Sequence, residues 1–141
     1  MTERQRQVLA SLYSWHHDGH VRERWVSGLR GDEPWLPLIV LRLVGDYIEA
    51  IWHRILADID AVPRERYLAF AKENPAFMTA TRDRIVSYHQ YVGRSSRDFI
   101  DNPAYRFMQE LGLWQGPQAR RWVHHARERR GQPSRQSASS A

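Results

Sequence analysis

Apolar residues recur every third or fourth position along nearly the whole chain, and no stretch alternates with the period of two that a strand requires. That single pattern excludes most fold classes and predicts an all-α protein. Thr2 and Gln5 have the spacing of a capping box, ahead of a stripe formed by Val8, Leu9, Leu12 and Tyr13. Asp18 is placed to cap a second helix with Val21, Trp25, Val26 and Leu29 on its inner face. Gly31 to Pro34 is a stop followed by a start, and a more apolar third helix runs from about Pro34 to Val44. After Gly45-Asp46, a fourth helix carries Ile48, Ile51, Trp52, Ile55, Leu56 and Ile59 on one side.

The remaining punctuation continues the pattern. Pro63 opens a fifth helix, buried through Tyr67, Leu68 and Phe70. Asn74-Pro75 begins a sixth, which Phe77, Met78, Thr81, Ile85, Val86, Tyr88 and Val92 carry to Gly93. Asp101-Asn102-Pro103 starts a seventh with Tyr105, Phe107, Met108 and Leu111 inside, and Gly112 is placed as its left-handed terminator. Gln118 to Arg130 forms a last candidate helix with a thin apolar edge of Trp122, Val123 and Ala126, followed by a small, polar tail. The expected division is a helical domain over residues 1–116 and a basic helix with a flexible polar tail over 117–141. Short loops make neighbouring helices antiparallel.

Two helix pairs look alike. The first turn reads Asp18-Gly19-His20-Val21-Arg22-Glu23, with Trp25 and Leu29 following at helical spacing. The second pair runs from Pro34 through Leu36, Pro37 and Arg42 to Asp46, Ile51 and Trp52. This resembles the bacterial HEAT-repeat proteins, in which a DGxVRE helix leads to an LPxLLLRxxD segment. The resemblance covers about residues 9–59. Trp25 and Trp52 depart from it by adding bulk. It implies antiparallel pairs stacked as a short HEAT-like array over about residues 2–62, with residues 63–116 as a helical extension closing the core. It also implies that the aspartate of a turn caps its helix and bonds an arginine of the neighbouring repeat, while spaced apolar residues stack one pair on the next.

Charge separates the two parts. The chain holds 21 basic and 16 acidic residues, a net of +5. From Pro117 onward there are six arginines and one acid, so that segment alone carries the +5, and residues 1–116 balance at 15 of each sign. A duplex-binding body normally shows excess positive charge, so the balanced body points to a protein partner. Arg120, Arg121, Arg127, Arg129 and Arg130 mark the basic helix as a contact for nucleic-acid phosphates or an acidic surface.

Candidate chemistry is sparse. Cysteine is absent, which removes disulfides, thiolate metal sites and a cysteine nucleophile, and fits a reducing, cytoplasmic compartment. The N-terminal sequence lacks the apolar core of a signal peptide. The apolar run from Leu36 to Val44 is too short for a membrane span. His16, His17 and His20 are the densest set of metal-ligand types, but Asp18-Gly19 interrupts the helix that an i, i+4 zinc pair needs. Asp32-Glu33, Asp58 with Asp60, and Asp98 with Asp101 lie near helix ends, where acids favour the helix dipole. Ser87, Tyr88 and His89 are adjacent and therefore point in different directions. No nucleotide-binding loop or hydrolase motif occurs. A small metal-dependent enzyme built on the three histidines is the weaker reading, and no cofactor is expected.

Trp25 and Trp52 fit inner faces. Trp15, Trp35, Trp114 and Trp122 stand at helix ends and turns, where exposed aromatics beside arginines act as interface anchors. The sequence therefore reads as a non-enzymatic helical adaptor that binds another protein through a helical face and an aromatic rim. Nucleic-acid binding through the arginine-rich tail is the alternative.

Overall fold

A computed structural model describes residues 1–92 and 98–114. Those residues form seven α-helices: α1 (Glu3–Tyr13), α2 (Gly19–Val26), α3 (Leu36–Val44), α4 (Glu49–Ala57), α5 (Arg64–Glu73), α6 (Pro75–Val92) and α7 (Pro103–Glu110). Single 3-10 turns lie at Ile59–Ala61 and Phe99–Asp101. There is no strand among the described residues, so the protein is all-α. No described helix is long and apolar enough to cross a membrane. The proposed helix from Gln118 to Arg130, with Trp122 and the five arginines, lies outside the described residues.

Helix ends form where local chemistry satisfies the backbone. Thr2 and Gln5 complete a reciprocal capping box on α1. Asn102 accepts hydrogen bonds from the Ala104 and Tyr105 amides and so caps α7. At the other end Gly112 takes φ +76°. The Gly112 amide then bonds the Gln109 carbonyl and the Leu113 amide bonds the Met108 carbonyl, a Schellman motif that satisfies two terminal carbonyls.

Asp18 caps α2 by accepting from the His20 amide at 2.9 Å. That amide hydrogen bond holds the Asp18 carboxyl below its ordinary value, with a smaller contribution from the nearby histidines. A depressed carboxyl contributes stability that is present above the unfolded value, about pH 4, and is lost as pH falls through the folded value. Asp18→Asn keeps a capping oxygen without the charge. Urea unfolding is expected to show equal midpoints near neutrality and a shallower fall below about pH 4 for the variant. An acid limb of unchanged slope would contradict this account.

The core follows from the most apolar helix. In α3, Leu36, Pro37, Val40, Leu41, Leu43 and Val44 are all buried. The helix touches α4, α5 and α6, so it needs apolar residues on more than one face. α4 packs on α2, α3 and α7, inserting Ile51, Trp52 and Ile55. From α7, the fully buried Phe107 meets Tyr67 of α5 edge to face, with ring centroids 6.4 Å apart. Burial pushes the Tyr67 phenol well above its ordinary value. α6 is tied to the end of α7 by Arg82, whose Nη2 donates to the Leu113 carbonyl at 2.8 Å. Buried Asn102 donates to Nδ1 of buried His89.

α1 makes its main contact with α2. The face it buries is small and polar: Gln7, Ala10 and, just beyond the helix, Ser14. Gly28 permits the approach, since a Cβ there would stand 2.9 Å from that of Ala10. Gln7 donates to the Arg30 carbonyl beside Gly31, whose φ of +123° few other residues adopt. Half of the apolar stripe read from the sequence therefore points away from the core, while Leu9 is partly buried and Tyr13 stacks on Trp25 of α2. Val8 is 46% exposed and Leu12 is 66% exposed. The reason is positional: among the described helices α1 has one principal neighbour, α2.

Candidate functional site

The first two helix pairs are joined by two arginines. Arg22 of α2 grips Asp46 with both arms, Nε to Oδ2 at 2.9 Å and Nη2 to Oδ1 at 3.1 Å. Its Nη1 donates to the carbonyls of His16 and His17 at 2.7 and 3.0 Å. Asp46 also accepts from the Ile48 amide, and its carbonyl accepts from the Trp52 indole at 2.8 Å. The two charged side chains are only 7% and 8% exposed. Burial opposes the Arg22 charge, but the Asp46 carboxylate outweighs it and holds the guanidinium above its ordinary value.

Arg42, on α3, reaches back across the same junction. Its Nη2 donates to the Ser14 carbonyl and, at 3.0 Å, to the Ser14 hydroxyl. Its guanidinium lies under the Trp15 ring, with the carbon 3.9 Å from the ring centroid. Cation–π stacking of this kind orients an aromatic ring that is otherwise free to rotate. Nε is buried and has no hydrogen-bond partner among the described residues. Burial lowers the Arg42 pKa; Asp46 opposes that, and the like charges of Arg22 and Arg84 add to it. An arginine in this setting still remains a cation.

These contacts frame a groove of about 530 Å³ between the α1 end, α3, the Gly45–Tyr47 turn and α6. Trp15, Tyr47, Phe77 and Tyr88 supply aromatic walls, and Arg42 and Arg84 supply positive charge. Tyr47 and Tyr88 meet with centroids 6.0 Å apart. Arg84 crosses Gly45, where a Cβ would stand 3.4 Å from its Cδ. Asp46 is the carboxylate in the lining, and both its oxygens are already held by Arg22.

The aromatic residues singled out in the sequence fall in different places. Trp15 is 67% exposed and forms the groove rim. Trp35 is partly buried against the core. Trp114 requires correction as a rim residue. It is 3% exposed, packed on Phe99 and Tyr105 at centroid distances of 5.6 and 5.1 Å. The turn at Gly112 folds it inward, so a position near a helix end did not mean exposure. Trp122 and Arg120, Arg121, Arg127, Arg129 and Arg130 lie outside the described residues. Trp52 is buried, and Trp25 is partly buried with its ring stacked on Tyr13 at 4.7 Å.

The histidines do not converge on a metal geometry. His16 accepts the Asp18 amide on Nδ1, and its ring stacks on His17 at 4.4 Å. Among the described residues no group of three or more His, Cys, Asp or Glu side chains is arranged to hold a metal ion. Several carboxylates instead hold arginines: Asp58 pairs with Arg30, and Asp32 with Arg66, whose hydrogen bond lowers the Asp32 pKa. Ser87, Tyr88 and His89 diverge as their spacing requires, outward, into the groove and into the core respectively.

Reasoning from the sequence missed Arg84 and the paired tyrosines. Arg42 and Asp46 were visible as part of a repeat segment, but nothing there indicated that Arg42 supports Trp15. Searches for related proteins found no match among protein-family models, curated proteins or solved structures.

Proposed function

We propose that the chain is a non-enzymatic interaction module that binds another protein through the outward face of α1 and the aromatic rim at Trp15. The observation that carries this reading is the clustering of exposed apolar side chains. Met1, Val8, Leu12, Tyr13 and Trp15 are 73, 46, 66, 39 and 67% exposed. Scattered exposed apolar residues are ordinary, but a group concentrated on one helix and its end is characteristic of docking surfaces. Met1, Val8, Leu12 and Trp15 follow one another at helical spacing, the pattern by which helices meet partner helices or grooves.

A short HEAT-like stack gives this surface a rigid base. The Arg22–Asp46 clamp between the first and second pairs supports that reading, as does the placement of α4 against both α2 and α7. Nucleic-acid binding through residues 117–141 is separable, because it predicts retention on DNA or RNA that vanishes when those residues are removed and that ignores α1.

Leu12→Asp changes an exposed position and Trp15→Ala gives up the exposed stack on Arg42, so folding stability is expected to move by about 1 kcal/mol or less. A photo-crosslinker beside Leu12 is expected to label one dominant protein. That partner should bind Trp15→Ala at least tenfold more weakly, the loss typical of an aromatic anchor. Equal affinity for wild type and both variants would sink the reading.

A further inference from the structure

The groove beside Trp15 has a chemistry distinct from the apolar face of α1. Its two cations are held differently. Arg42 spends Nη2 on Ser14 and leaves Nη1 without a hydrogen-bond partner among the described residues. Arg84 is exposed and has no ion-pair or hydrogen-bond partner among the described residues. Arg22 beside them is engaged by Asp46, and elsewhere Arg30 pairs with Asp58, Arg54 with Glu23 and Arg66 with Asp32. Two guanidiniums facing one cleft therefore have no carboxylate ion-pair partner of their own among the described residues, at a place where tyrosine and phenylalanine rings supply the walls.

We infer that the groove takes an acidic segment of the protein partner, with one Asp or Glu carboxylate between the guanidiniums of Arg42 and Arg84 and a neighbouring apolar or aromatic side chain against Tyr47, Phe77 and Tyr88. This rests on the proposed interaction role and adds the chemistry of the ligand. Charge complementarity selects the occupant. A carboxylate accepts from a guanidinium in a planar, directional fork, and arginine is the side chain best suited to that geometry. A nucleic-acid strand fits less well, because backbone binding needs cations repeated along the phosphates, and residues 1–116 carry no excess charge. The volume of about 530 Å³ suits one or two side chains rather than a folded domain. The α1 face would then supply contact area, and the groove would set which sequence is accepted.

The test is selection of random dodecapeptides on the full-length chain, run in parallel on Arg84→Gln and Arg84→Glu. All three proteins keep residues 117–141, so attraction of acidic peptides to that basic segment is common to them and cancels. Arg84 lies at the surface, so these variants should fold, which circular dichroism and urea midpoints check. Peptides enriched on the wild type should pair an Asp or Glu with an adjacent aromatic or aliphatic residue. They should bind Arg84→Gln about tenfold more weakly, and amidation of the carboxylate should cost as much. On Arg84→Glu, selection should turn toward Lys or Arg at the same position.

Other outcomes overturn the inference. If enriched peptides bind Arg84→Gln as tightly as wild type, or no acidic consensus emerges, the groove does not read a carboxylate. The interaction reading would survive if those peptides still required Trp15 and Leu12, and would fall with it if they did not. Preferential, Arg84-dependent binding of a 20-nucleotide oligothymidine over any peptide would replace the protein occupant with a nucleic acid.

Discussion

Replacing Arg22 with alanine is expected to destabilise the fold by about 3–5 kcal/mol, the range for breaking a buried ion pair from one side. Most of that comes from what remains behind. Asp46 would keep its charge at 8% exposure with only the Ile48 amide as a hydrogen-bond donor to its side chain, and the carbonyls of His16 and His17 would lose theirs. Because a domain of this kind is stable by about 5–15 kcal/mol in total, the variant should unfold at far lower urea and lose several degrees in Tm.

A double variant separates charge from packing. Arg22→Met with Asp46→Leu removes both charges and keeps bulk, and buried pairs replaced in this way are often neutral. Here recovery should be partial, because Met cannot donate to the two carbonyls and Leu cannot accept from the Ile48 amide. If Arg22→Ala unfolds within about 1 kcal/mol of the wild type, the pair does not hold the first two helix pairs together.

Phe107→Ala is the second large effect, about 3–5 kcal/mol. The Phe107 ring is fully buried between α5 and the rest of the core and meets the Tyr67 ring edge to face. Its removal leaves a cavity that cannot collapse easily, since α7 is anchored at both ends by the Asn102 cap and the Gly112 turn. Phe107→Leu fills most of the volume and should cost about 1–2 kcal/mol. Urea unfolding followed by far-ultraviolet circular dichroism measures both. Near-equal losses for the two variants would mean that the cavity term is absent.

What was legible in the chain was local. Thr2 with Gln5, Asp18, Asn102 and Gly112 each act within a few residues of themselves, so a short stretch of sequence contained all the atoms involved. The buried residues of α4 and α7 were legible for a related reason: α4 packs on α2, α3 and α7, and α7 also meets Tyr67 of α5, so a strong apolar face is an inner face. The same rule misplaces α1. Its apolar stripe is as regular as theirs, but periodicity states only that a face exists. Which side meets α2 was settled by Gln7, Ala10 and Gly28, where small or hydrogen-bonding groups allow a close approach.

The candidate site was less legible than the fold. Trp15 and Trp114 stand in comparable positions beside helix ends, yet one is exposed and the other buried. The difference comes from contacts at long range. Arg42, 27 positions away, supports the Trp15 ring from below, while Phe99 and Tyr105 close over Trp114. Arg84 joins the groove only because α6 packs on α3.

The sequence by itself determined the all-α class, the caps at Thr2, Asp18 and Asn102, the stop at Gly112, and the neutrality of residues 1–116, because periodicity, capping and charge depend on composition and near neighbours. Only the tertiary structure decided that α1 turns Val8 and Leu12 outward, that Trp114 is core and Trp15 rim, and that Arg42 and Arg84 share a cleft. Those outcomes depend on which helices touch. Distant residues contribute to such contacts jointly, and no local pattern encodes them.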